Sequence, residues 1–414
     1  MITYNTHTLQ NGLQLIHHRD SGSRFAVVNV LYNVGARNDP RTHTGLAHLM
    51  EHLMFGGTPE APDFDSILQN AGGHSNAWTS SDITNYYDVI PLLNIDTALW
   101  LEADRMQGLL FSEHSLEVQR KVVCEEFKET VLNAPYGDTF HILSKNAFTE
   151  HPYRTPVIGD NLHDIETITS SDVKQFFYAN YTPSNAIISI VADLPYQDVI
   201  EKVEQYFSNI ANKDMDVARN NFPQNDKSCN TEIIRVNCDV PENMILMAYH
   251  MDKRTGADYP ATDMITDLLS TGQSSLFMQN VIQKGDTFRA LNASVWGTID
   301  PGLLFIKGFL HNGESFEKGV EIINREVMKI VSGEFSEFEL QKAINKAESM
   351  SRLENTNQED LAYNLAYFTM LGDTSLINTE YDAYRTLTTT QVSKCANDIF
   401  VNNAPTILFY GKNA

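Results

Sequence analysis

The sequence has no run of the roughly 18 uninterrupted apolar residues that a membrane-spanning helix requires, so no transmembrane segment is expected. Cysteine is scarce: Cys124, Cys229, Cys238 and Cys395 are scattered, with no CxxC spacing. That argues against a disulfide framework and against a thiolate zinc site. Basic residues are few as well, 30 Lys and Arg against 53 Asp and Glu, for a net charge of −23. So acidic a chain repels phosphate backbones and anionic lipid surfaces, which removes nucleic acids and membranes from the expected partners and favours basic ligands. The opening MITYNTHTLQNG lacks the basic-then-apolar layout of a secretory leader. The expected compartment is therefore the cytoplasm, or the periplasm if a leader has been removed.

What is present is a long soluble chain, 414 residues with 42% apolar content, more than one core usually organises. Ile168 to Asp193 lies without gaps over Leu387 to Lys412, an offset of 219 residues. In each copy a Ser/Thr-rich cap opens a helix, a polar turn follows, and a β-rich strand closes the unit. An offset near half the chain length indicates duplication. The expected domains are residues 1–210 and 231–414, joined by a polar linker at 211–230. Strands are expected at Phe25–Gly35, Thr84–Pro91, and in "MILMAYHM" and "LLFIKGFL"; helices are expected at 92–110, 112–132, 317–331 and 337–353. Together these give an α+β protein with two homologous domains, each a largely antiparallel sheet packed with helices.

The run "GLAHLMEHLMFGGT" places two histidines and a glutamate within five positions. If residues 45–55 form a helix, His48 and His52 lie one turn apart on one face and can reach a single cation. Glu51 flanks that face, where it could touch a water at the metal without binding the metal itself. This is the HExxH arrangement reversed, HxxEH. The plain alternative is a core helix that happens to carry histidines. Zinc needs a third ligand, and "QRKVVCEEFKETV" offers Glu125, Glu126 and Glu129 in a helical context. Val122, Val123 and Phe127 mark the expected buried side, toward which Glu126 leans better than Glu125.

With these motifs, and with "LQNGLQLI", "AGGHSNAWTSSDITNYYDVIP", "HPYRTPVIG" and "YTPSNAIISIVAD" in order along nearly the whole chain, the sequence resembles the pitrilysin/insulinase family of inverted-motif zinc peptidases. It looks closest to the mitochondrial-processing-peptidase-like branch. The resemblance implies one zinc ion per chain, bound by His48, His52 and Glu126, with Glu51 as general base. It puts Gln119 where the family usually carries a glutamate supporting the metal site. It also implies that Asn76 and Ala77 hydrogen-bond an extended peptide along an edge strand; without the family match, "GGHSNAW" reads as a turn entering a strand, and His74 as a loop histidine.

Self-sufficient members carry an arginine and a tyrosine in the second half that reach the substrate carbonyl. Here Ile282 and Phe288 occupy those places, with Arg289 adjacent but out of register. The implied function is a zinc-dependent endopeptidase acting on unfolded peptides in a closed chamber, its site completed by a homologous subunit in a heterodimer or homodimer. The alternative is a non-catalytic core subunit of an assembly. A metal-dependent hydrolase of non-peptide substrates is disfavoured by the edge-strand match.

Overall fold

The structure, a computed structural model, describes residues 1–212, 231–285 and 287–414, so the expected linker lies almost wholly outside the described residues. Two compact units are present. The first holds residues 1–128, the described part of 155–221, and 352–378; the second holds 129–154, the described part of 222–351, and 379–414. The expected single cut between 210 and 231 therefore does not describe the compact units, which exchange two segments. The physical reason is visible in the first sheet.

Strands β1 (Asn5–Thr8), β2 (Gln14–His18), β3 (Phe25–Tyr32), β4 (His74–Thr79), β5 (Thr84–Pro91) and β6 (Ala186–Val191) form that sheet in the order β1, β2, β6, β3, β5, β4. All neighbours run antiparallel except β2 and β6. β3 and β6 read as nearly continuous apolar runs because both of their faces are covered. One face is covered by a helix from far along the chain. Its Leu361, Ala362, Leu365 and Ala366 pack on Val27, Leu31, Ile187 and Val191, which draws 352–378 into the first unit.

The helices bearing on function are α1 (Leu46–Leu53), α2 (Ile95–Gln107), α3 (Glu113–Phe127), α4 (Ser170–Asn180), α5 (Tyr259–Ser270), α6 (Phe316–Val331), α7 (Glu337–Glu354), α8 (Gln358–Met370) and α9 (Thr389–Phe400). It is α8 that covers the first sheet. Beneath the other face, α2 contributes an ion pair between Glu102 and Arg105, both fully buried, with the guanidinium 4.4 Å from the centre of the Tyr86 ring.

In the second unit β7 (Glu232–Asn237), β8 (Met244–His250), β9 (Phe288–Trp296), β10 (Leu303–Leu310) and β11 (Thr406–Gly411) are ordered β7, β11, β8, β10, β9. Its core joins Ile245, Met247 and Ile306 to Ile323 and Val327 of α6. The repeat inferred from sequence is present in three dimensions. Thr169 opens α4 and Thr388 opens α9, each through a reciprocal capping box, and the strand that follows each helix has one parallel and one antiparallel neighbour. The order of elements also repeats: central strand β3 or β8, then α1 or α5, edge strand β4 or β9, β5 or β10, and then the helix pair α2 and α3 or α6 and α7. Among the described residues no helix is long and apolar enough to cross a membrane.

Candidate metal centre

Helix α1 begins abruptly, and backbone geometry dictates how. Gly45 caps it with φ +86°, and a Cβ there would stand 2.8 Å from the Ile158 carbonyl oxygen. Gly159, at φ +100°, meets the Thr44 carbonyl in the same way. Two glycines thus let two backbone segments cross in contact, where "HPYRTPVIG" meets "TGLAHLMEHLM". The first N–H groups of α1 are answered from upstream: Asp39 accepts from Gly45 at 2.7 Å and from Ala47 at 2.8 Å. Burial pushes the Asp39 carboxyl up to about 8, against those same N–H bonds.

Leu46, Leu49, Met50 and Leu53 anchor α1 in the core, leaving His48, Glu51 and His52 partly exposed on its other side. The imidazoles stand edge to face with centroids 4.9 Å apart. Glu126 Oε2 of α3 lies 3.8 Å from His48 Nε2 and 3.7 Å from His52 Nε2. Two donors bound to one zinc ion at about 2.1 Å can be at most about 4.2 Å apart, so both separations fit a shared cation. Among the described residues this is the group of His, Cys, Asp and Glu side chains that could hold a metal, with all three ligand atoms within 4.8 Å of one another. The protonation states suit the role. Burial holds the His48 imidazole down to about 4 and lowers that of His52, so both are neutral donors at pH 7.

Of the three candidate glutamates, Glu126 on α3 turns inward, Glu125 on α3 is exposed and paired with Lys128, and Glu129 is exposed in the turn after α3. The expected buried side needs one correction: Val123 and Phe127 are buried, but Val122 is 45% exposed. The inward stripe runs through Leu116, Val123 and Phe127, and Val122 falls beside it. Gln119 hydrogen-bonds the His52 side chain, so it acts on a candidate ligand from behind.

Glu51 is fixed by the sheet. Thr79 Oγ1, at the end of edge strand β4, donates to Glu51 Oε2 at 2.5 Å, and the Thr79 N–H bonds the same carboxylate. Burial raises the Glu51 carboxyl despite these bonds. Thr79 and Asp39 were not singled out in the sequence. Asp39 lies too far upstream of the helix for ordinary cap spacing, and Thr79 looks like any other strand residue.

Among the described residues β4 pairs only with β5 and leaves its other edge open. Ala77 donates its N–H to Asn76 Oδ1 at 2.9 Å, so that N–H faces the open edge and is met by a local side chain. Since strand residues alternate, Ala77 and Thr79 present their main chains to the same side, two residues or about 6.7 Å apart. The open edge therefore leads straight to Glu51. His74 opens β4, exposed and outside the candidate ligand group.

The second-half positions are structural. Phe288 is buried at the start of β9 and Ile282 packs on the core of the second unit. Arg289 is held by both carboxylate oxygens of Glu242.

Residues 15–161 match the family model described as insulinase (peptidase family M16), and residues 167–347 match that of the peptidase M16 inactive domain. The chain is 30% identical over 411 residues to a Helicobacter pylori protein named zinc protease PqqE, spanning 97% of this chain and 91% of that one. It is 24% identical over 270 residues to a probable mitochondrial-processing peptidase subunit beta of Arabidopsis thaliana, spanning 64% of this chain and 50% of that one. A crystal structure of a protease from Helicobacter pylori superposes on the whole chain with a TM-score of 0.93 at 27% identity. His48, Glu51, His52 and Glu126 all fall within the segment that matches the insulinase model, and the chain belongs to the insulinase, or M16, family of peptidases.

Proposed function

We infer that this chain is the metal-bearing subunit of a zinc-dependent endopeptidase that hydrolyses unfolded peptides in a closed chamber, completed by a homologous partner subunit. The observation that carries the reading is the convergence of His48, His52 and Glu126 beside a glutamate that the edge strand holds in place. A zinc ion bound by these three side chains would keep one position open and bring the pKa of a water there from about 16 to about 7.

The chain's own groups supply the rest. An extended peptide adds to the open edge of β4, its backbone competing with Asn76 for the Ala77 N–H, and this sets its path toward Glu51. Thr79 keeps the Glu51 carboxylate oriented. Glu51 takes the proton of the attacking water and delivers it to the leaving amine. The developing oxyanion calls for a donor from protein, and loss of one such donor typically lowers the rate by about 100-fold or more. Ile282 and Phe288 cannot donate, and Arg289 is engaged by Glu242, which supports assigning that role to the partner.

The test is zinc content and peptide cleavage, measured for the chain alone and with homologous subunits, beside Glu51→Gln. We expect Glu51→Gln to keep stoichiometric zinc while turnover falls by at least about 100-fold. Turnover that survives the substitution, or a chain that takes up no zinc, would leave the non-catalytic core subunit as the better reading. High activity of the chain alone would remove the partner.

A further inference from the structure

The duplicated fold offers an internal comparison. In the first unit the crevice between the end of α1 and the start of α3 is lined by Leu53, Gly56, Phe111, Ser115 and Leu116, and its free space is about 10 Å³. The equivalent crevice in the second unit lies between the end of α5 with its following turn, 271–276, and the first half of α7. There the space opens to about 220 Å³. The copy with no candidate metal cluster among its described residues thus has a cavity where the copy carrying the candidate cluster is packed shut.

The lining has two parts. Leu268, Ile330 and Phe335 make an apolar floor, Leu268 and Ile330 being buried. Around the rim stand charges of both signs. Lys342 and Lys346 are one turn apart on α7. Lys342 Nζ donates to Ser274 Oγ at 2.5 Å. Lys346 Nζ lies over the turn, 3.1 Å from where a Cβ at Gly272 would be. Across the crevice from them, at the end of α5, is the carboxylate of Asp267, which Thr271 hydrogen-bonds; Glu339, which accepts from Ser336, stands one turn before Lys342 on α7 itself. A ligand that uses all of this carries an anionic end, a cationic end and a compact apolar body.

We propose that this cavity binds a free α-amino acid with an apolar side chain, its carboxylate toward Lys342 and Lys346, its ammonium toward Asp267 and Glu339, and its side chain on the Leu268, Ile330 and Phe335 floor. The site is separate from the metal cluster and does not depend on the proposed peptidase reading. If that reading holds, the ligand is of the class that exopeptidases release from the fragments an endopeptidase makes, which would make the second unit a sensor of downstream peptide breakdown.

The experiment is titration calorimetry, backed by ligand-observed NMR, on the full chain with L-leucine and L-phenylalanine. N-acetyl-leucine, which lacks the ammonium, and leucinamide, which lacks the carboxylate, are the comparison ligands. Saturable binding of the free amino acids with a Kd of about 1 mM or tighter is expected. Each comparison ligand should bind at least about tenfold more weakly, and so should leucine to Lys342→Ala/Lys346→Ala, whose exposed side chains make the variant safe for folding. Ala343→Phe, which fills the cavity from α7, should abolish binding. Absence of saturable binding, equal affinity for N-acetyl-leucine or leucinamide, or unchanged affinity in the double lysine variant would overturn the proposal.

Discussion

Gln119 is one hydrogen bond away from a candidate metal ligand. A side-chain oxygen on the His52 ring N–H raises the basicity of the nitrogen facing Glu126, as an amide can do without adding charge. Gln119→Leu should therefore weaken zinc binding about 10- to 100-fold in a chelator competition, while Gln119→Glu should bind at least as tightly as the parent. In the second unit Asp263 accepts from the Tyr384 hydroxyl at 3.0 Å, and burial pushes its carboxyl up to about 6 from an ordinary 3.8. Because the folded value is the higher one, the contribution to stability is full below pH 4 and is lost as pH rises through 6. The loss is about 3 kcal/mol for a shift of about two units. Asp263→Asn keeps the acceptor without the charge, so it should gain on the parent by roughly that amount between pH 4 and pH 7, read as the difference in denaturant midpoints. At this scale His48 and His52 were legible, because helical spacing puts both on one side of α1, whereas Glu126, on a separate helix, was favoured by its place beside the apolar stripe and assigned as a ligand through the family resemblance. The fully buried charges of Glu102 and Arg105 were not, since only the packed rings around them reveal that they are inside.

Among the elements, strands announced themselves most clearly: β5 occupies Thr84–Pro91 as expected, and β3 ends at Tyr32, short of Gly35. The expected helix over 112–132 is α3 followed by a π-helical turn at Lys128–Leu132. Apolar spacing does not distinguish that wider turn from continued α-helix. What periodicity could not give was the destination of α8. Its buried residues, Leu361, Ala362, Leu365 and Ala366, describe an apolar stripe, but nothing in the stripe names as its partner a sheet whose strands lie from 170 to more than 300 positions earlier. The edge strand yields a test at this scale. Proline is tolerated on a sheet edge when its missing N–H would have pointed outward. Ala77→Pro should accordingly leave the melting temperature within a few degrees of the parent while weakening binding of extended peptides about fivefold, near the net worth of one hydrogen bond. Fluorescence anisotropy in the Glu51→Gln background reads that binding without turnover.

For the molecule as a whole, the exchange of segments ties the two halves of the sequence into one folding problem. A fragment of residues 1–212 would present the Val27, Leu31, Ile187 and Val191 surface to water without α8 to cover it. We expect this fragment to be insoluble or to unfold non-cooperatively when made alone, and to recover native circular dichroism and zinc uptake when co-expressed with residues 231–414. A stable, zinc-loaded fragment made alone would contradict that account. The open edge of β4 has a different consequence for molecules in company. A strand whose main chain is left available to any extended polypeptide is equally available to the matching strand of a neighbouring molecule, and flat unguarded edges are where sheet proteins zip together. Asn76, by occupying the Ala77 N–H, blunts that edge from within. On the proposed reading, the amide that an incoming chain would push aside is also expected to hinder strand pairing between crowded copies of the protein.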